Sequence, residues 1–307
     1  MKENQMNTPL YKEGKARIDQ SFIEKCDREL EKHFENAVAL VCDEWENVRV
    51  LGLTGPTCSG KTTTARKLLH RFHEKGKRVV TVSLDDFFKD CFSREAIADA
   101  KVEELDFDSP DTLDTELLSR FIDDIFSVGK AKKPIFDFVS GTRIRWDEID
   151  CGENDVLLFE GIQVLYPAVL SVIEAHGGKI LCVRPESGLR IGGKYFEPDF
   201  IRLCRRLVRD SNFRGASPDF TLSLWDSVRR NEEENIFPHM DRCHLRIDTT
   251  LAYELNILAP YLRRVLPEIA WGSKHHKKSL EILGLLEDVV GIESFVISEN
   301  SLYKEFV

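Results

Sequence analysis

Arg49-Val-Leu-Gly-Leu-Thr-Gly-Pro-Thr-Cys-Ser-Gly-Lys-Thr-Thr-Thr64 contains Gly55, four residues, then Gly60, Lys61 and Thr62. This is the phosphate-binding pattern G-x-x-x-x-G-K-[ST]. The glycines let the backbone turn tightly and approach an anion. The loop N–H groups and the positive end of the following helix are suited to surround phosphates. Lys61 adds a mobile cation, and the Thr62 hydroxyl is a candidate Mg²⁺ ligand. The pattern needs a strand before it and a helix after it, and the sequence offers both. Val48–Leu53 is an apolar run, while Ala65, Leu68, Leu69 and Phe72 recur at helical spacing. The expected contacts of a bound nucleoside triphosphate are therefore Gly55, Pro56, Thr57, Cys58, Ser59, Gly60, Lys61, Thr62 and Thr63. The bland alternative is an ordinary Gly-rich strand-to-helix turn.

The rest of the chain fits a globular α/β protein of 307 residues, 42% hydrophobic and 31% charged. A net charge of −10 argues against a nucleic-acid partner, which calls for a basic face. No stretch approaches the roughly 20 apolar residues of a membrane span, and the first residues lack a signal-like apolar core. Eight scattered cysteines without a C-x-x-C pair suit reduced thiols and a cytoplasmic location. Cys58 reads as a small filler in the loop more readily than as a reactive thiol.

Taken in order, the chain predicts an N-terminal extension over residues 1–45 with an amphipathic helix from Ile18 to about Trp45. A kinase-sized α/β unit spans 46–270, and a helical tail spans 271–307. Strands are expected at Arg78–Leu84, Asp155–Phe159, Lys179–Val183 and His244–Thr249, with Pro134–Val139 a short segment of undefined type. Helices are expected at Thr112–Val128, Tyr166–Ala175, Asp199–Asp210, Phe220–Asn235, from Ala252, and at Lys274–Val289. Residues 184–196 read as a Gly-containing, mobile loop within a lid of about 184–240, and the last residues as a short extended end. Strands alternating with helices imply a mainly parallel sheet covered on both faces.

Ligands of open α/β sheets sit beyond the C-terminal strand ends. Asp85, Asp86 and Glu160 appear there. Glu160 is a candidate Mg²⁺ group, with a helix-start acid as its alternative. One of Asp85 and Asp86 is suited to be a base, or a metal neighbour, for an attacking hydroxyl. Strand alternation predicts that only one faces the site. Arg202, Arg205, Arg206 and Arg209 fall on one helical face. They either neutralise a transferring phosphoryl group or pair with acids on a solvated helix, and the spacing does not choose.

Six ordered motifs together resemble the uridine kinase-like branch of the phosphoribulokinase/uridine kinase family. They are Gly55–Thr63, Ser83–Asp90, Phe107–Asp114, Pro134–Arg143, Asp155–Ile162, and Arg202–Asp210 with Arg214-Gly215. The resemblance runs over about residues 48–265. It implies a P-loop NTPase three-layer αβα sandwich with a helical lid. It also implies ATP with Mg²⁺ and a small-molecule acceptor, most simply a nucleoside 5′-hydroxyl. By the same resemblance Asp85 is the base, Asp108 and Arg206 contact the ribose hydroxyls, and Arg209 and Arg214 are lid arginines. Phe88, Phe136 and Arg143 fall in the acceptor stretch, and Lys61, Asp85 and Arg206 would carry the chemistry. Uridine-cytidine kinases of the family have tyrosines where this chain has Phe88 and Phe136, and a base-reading histidine at Gly141. A site that loses such hydrogen bonds loses strict uridine selectivity. A sugar phosphate or pantothenate-like acceptor near Arg143 and Arg145, or a nucleotide-gated regulatory protein, are the alternatives. A homo-oligomer stays open.

Overall fold

The structure is a computed structural model that describes residues 10–44, 47–90, 109–137, 140–292, 297–298 and 301–307. Asp108, one of the expected acceptor contacts, lies outside the described residues. The strands are β1 (Tyr11–Glu13), β2 (Val50–Thr54), β3 (Val79–Ser83), β4 (Lys130–Asp137), β5 (Thr142–Asp150) and β6 (Val156–Glu160). They continue with β7 (Lys179–Arg184), β8 (Gly188–Ile191), β9 (Lys194–Phe196) and β10 (Leu245–Asp248). The helices are α1 (Gln20–Glu44), α2 (Lys61–Glu74), α3 (Thr115–Val128), α4 (Pro167–Ala175), α5 (Pro198–Phe213), α6 (Pro218–Asn231), α7 (Glu254–Val265) and α8 (His276–Leu285).

Five parallel strands form the central sheet in the order β10-β7-β2-β6-β3. Their near-continuous apolar runs follow from burial on both faces. On β6, Val156 and Leu158 join one core while Leu157 and Phe159 join the other; on β7, Leu181 and Val183 are opposed in the same way by Ile180 and Cys182. Residues of α1, α2, α5 and α7 complete the first core, and those of α3 and α4 the second. Three layers result, αβα. Among the described residues no helix is long and apolar enough to cross a membrane.

Three stretches differ from their sequence reading. Residues 130–150 are an antiparallel hairpin, β4–β5, with a register shift at Ile135/Phe136. Residues 188–196, read as a mobile loop, are the β8–β9 hairpin, and β1 pairs in parallel with β8. Gly192-Gly193 supplies its two-residue turn, with both φ angles positive. The final residues form a 3-10 turn, Leu302–Glu305, in place of an extended end.

Asp248, at the end of β10, ties the small β1-β8-β9 sheet to the large one. It accepts from Glu186 N–H at 2.9 Å and from the Ser187 hydroxyl at 2.7 Å, with Lys12 at 3.3 Å. Burial alone would raise its carboxyl, but the Lys12 charge and these donors hold it at about 2. Because the folded value is depressed from 3.8, the stabilisation is present above the unfolded value and lost as pH falls toward 2. Asp248→Asn is expected to cost about 2 kcal/mol at pH 7. In urea titrations the gap between variant and parent should narrow to roughly half at pH 3 and close only below pH 2. Equal urea midpoints at pH 7 would contradict this account.

Candidate active site

The register of the central sheet sets the site. Leu53 and Ser83 both lie opposite Glu160, so β2, β6 and β3 end level. Beyond β2 comes the phosphate loop, beyond β3 the acidic pair, and Glu160 itself closes β6. At Gly55 an added Cβ would stand 2.0 Å from the Val183 carbonyl oxygen, so the loop can run this close to β7 only without a side chain. Gly60, the N-cap of α2, has φ 97°, a left-handed conformation costly for other residues. The Lys61 ammonium donates to the Gly55 and Pro56 carbonyls at 2.8 and 3.2 Å, folded over the loop. Thr62 is exposed at the start of α2, and Cys58 and Ser59 are buried. The Ser59 hydroxyl has no hydrogen-bond partner among the described residues. Cys58 takes a left-handed φ of 59°.

The acidic pair leaves the sheet on a 3-10 turn, Leu84–Phe87, so a turn separates the two side chains where alternation along a strand was expected to. Asp86 pairs with Lys133 and accepts from Phe136 N–H at 3.2 Å, which fixes the β4–β5 hairpin to this turn. Asp85 instead accepts from Gln163 Nε2 at 2.8 Å. Burial raises the Asp85 carboxyl above its ordinary value; the Gln163 hydrogen bond and the charges of Lys61 and Arg214 oppose this, while Asp86 adds to it. Burial likewise raises Glu160, with Lys61 opposing and Asp85 and Glu305 adding to it. The Lys61 charge thus acts on both carboxyls, and Asp85 on Glu160, beyond the level ends of β2, β6 and β3. Gln163 was missed in the sequence because a lone glutamine carries no signal; its place three residues after Glu160 gives it meaning only in the fold.

The arginine face divides in two. Arg202 and Arg205 are fully buried, paired with Glu232 and Glu254 respectively. They are structural ion pairs. Arg206, Arg209 and Arg214 gather on Asp210 at 3.3, 2.6 and 3.7 Å, and Arg209 also donates to the Thr57 hydroxyl at 3.1 Å. The ion-pair reading therefore holds for Arg202 and Arg205, while the arginines gathered on Asp210 also pair with an acid but reach the phosphate loop through Arg209 and Thr57.

After the 3-10 turn, Phe88 packs edge to face with Phe136, 5.6 Å between ring centres, both buried. Arg143 donates to Asp114 at 2.9 Å and Arg145 to Asp147 at 3.1 Å. Among the described residues, no cluster of three metal-ligating side chains forms. Thr62 and Glu160 are hard oxygen donors that suit an Mg²⁺ ion taking its remaining ligands from phosphate and water.

A family model for phosphoribulokinase / uridine kinase matches residues 50–254. The uridine kinase of Clostridium botulinum (strain Okra / Type B1) is 28% identical over 183 residues, covering 59% of this chain and 78% of that protein. Uridine-cytidine kinase B of Dictyostelium discoideum is 30% identical over 193 residues, covering 62% and 70%. The matched span begins at β2, includes the phosphate loop, Asp85, Glu160 and the arginines of α5, and ends at Glu254. With its level strand ends and the loop between β2 and α2, this chain belongs to the phosphoribulokinase/uridine kinase family of P-loop kinases.

Proposed function

We propose that the chain transfers the γ-phosphoryl group of ATP to a primary hydroxyl of a small molecule, most simply the 5′-hydroxyl of a nucleoside. The observation that carries this reading is Asp85, held by Gln163 just beyond β3, where the strand ends of β2, β3 and β6 lie level with Glu160 and the phosphate loop begins. A carboxylate oriented by one hydrogen bond keeps its other oxygen for an incoming hydroxyl. In this reading Asp85 aligns the hydroxyl and takes its proton as the new P–O bond forms and the γ-phosphoryl leaves ADP. Lys61 and the loop N–H groups hold the phosphates, and Arg206, Arg209 and Arg214 offset charge on the moving group and keep water away. An Mg²⁺ ion held by Thr62 and Glu160 would supply charge neutralisation between the phosphates. Asp108 stays a proposed ribose contact, and Arg143 a proposed acceptor-side group acting through its pairing with Asp114.

The pairing of Arg143 and Arg145 with carboxylates weighs against a phosphorylated acceptor, which would need uncompensated cations. Phenylalanine in place of a hydroxyl-bearing tyrosine at Phe88 and Phe136 weighs against strict reading of a pyrimidine edge. Incubation with γ-labelled ATP, Mg²⁺ and a panel of nucleosides, sugar phosphates and pantothenate-like alcohols tests the proposal. Label is expected on one or more nucleosides, with purines and pyrimidines separated by less than the large factors of a hydrogen-bond-reading site. Label confined to sugar phosphates, or none on any alcohol despite ATP binding, would overturn it. The free cysteines suit a reducing compartment, so the proposed place of this work is the cytoplasm.

A further inference from the structure

Residues 301–307 fold back onto the phosphate loop. Leu302, Tyr303 and Phe306 are buried in the core shared by α1, α2 and α5. Leu302 lies so close to Gly60 that a Cβ added there would meet its Cδ1 at 2.3 Å. Arg205 donates to the Tyr303 hydroxyl at 3.0 Å, and Asn212 donates to the Phe306 carbonyl at 3.0 Å. These anchors bring the Glu305 carboxylate to the first turn of α2. It accepts there from the Thr63 N–H at 2.7 Å and also from the Thr63 hydroxyl. Thr63 is left 3% exposed.

The N–H groups in the first turn of the helix after such a loop are the donors a nucleotide offers its phosphates to. A carboxylate is a fair imitation of two phosphate oxygens: anionic, planar, and an acceptor only. Glu305 is moreover near enough to Glu160 to raise its carboxyl, which places its charge within the field of the site. A phosphate and this carboxylate cannot share the Thr63 donors, because two uncompensated anions at contact repel strongly in a partly buried setting.

We propose that residues 301–307 are an autoinhibitory segment, in which Glu305 occupies a phosphate position at Thr63 and must be displaced for a nucleoside triphosphate to bind. The proposal rests on reading the loop as the nucleotide site. Apparent affinity for the nucleotide is then lowered by the fraction of time the segment is docked.

The test measures Mg²⁺-ATP binding by calorimetry on the full chain and on Glu305→Gln, with hydrogen exchange followed across 301–307. Gln keeps an acceptor for Thr63 but removes the charge, so ATP should bind about three- to tenfold more tightly. In the unsubstituted chain, saturating ATP should accelerate exchange of the 301–307 amides. Unchanged or weaker ATP binding by Glu305→Gln, or exchange in 301–307 that stays the same or slows with ATP bound, would overturn the proposal. Should Glu305→Gln fail to fold, the exchange experiment on the unsubstituted chain decides alone. If ATP binds neither protein, the nucleotide reading of the loop falls and the proposal with it, which separates that failure from a docked segment that never moves.

Discussion

Asp85→Asn is expected to lower kcat by about 10²- to 10⁴-fold, the usual contribution of a positioned general base. The change is nearly isosteric, and Gln163 can still donate to the remaining carbonyl oxygen at the position of the 2.8 Å hydrogen bond. The fold should therefore survive, and because burial disfavours the charged form of Asp85, unfolding midpoints should hold or rise slightly. Affinity for ATP should change little, since Lys61 and the loop backbone are untouched. Steady-state rates with the best acceptor, paired with ATP calorimetry, separate these effects. A kcat within threefold of the parent would remove Asp85 from the base role and turn attention to Glu160.

Arg205→Met should act on stability instead, costing about 3–5 kcal/mol, the range for removing one partner of a buried ion pair. Arg205 is fully buried and reaches Glu254 at 2.7 Å, the Thr249 carbonyl at 2.8 Å and the Cys58 carbonyl at 3.1 Å. Methionine fills much of the volume but leaves Glu254 charged in a dry interior. The double variant with Glu254→Gln should recover part of the loss, because the stranded charge is the main penalty. Urea titrations of the three proteins measure both effects. A loss below 1 kcal/mol in the single variant would mean that the pair is dispensable and return Arg205 to the candidates for phosphate contact.

Much of this architecture is readable in the chain because it is local. The β2–loop–α2 unit carries its own glycines and period, and Glu160 announces itself as an acid ending a buried run. The features that escaped reading depend on distant partners. Arg202, Arg205, Arg206 and Arg209 share one helical face by spacing, yet Glu232 and Glu254 pull the first two into the core and Asp210 gathers the others. The β8–β9 hairpin had a turn signal in Gly192-Gly193, but its strands are four and three residues long, too short for alternation to register. Strand β5 alternates, yet Ile144 and Trp146 face outward, so its pattern lacks the buried stripe that marks most strands. Gln163 and Glu305 gained meaning only when folding put each beside a residue of the site.

The tie between β1 and the middle of the chain also governs how the protein comes into being. Lys12 donates to the Thr250 carbonyl across 238 residues of sequence. At synthesis rates of 5–20 residues per second, Lys12 leaves the ribosome roughly ten to fifty seconds ahead of that partner. The first strand therefore has no sheet partner until β8 has been made. Contacts this distant in sequence slow the final closure. The small sheet thus waits for residues 188–196, and until then the β1 edge is open to mispairing.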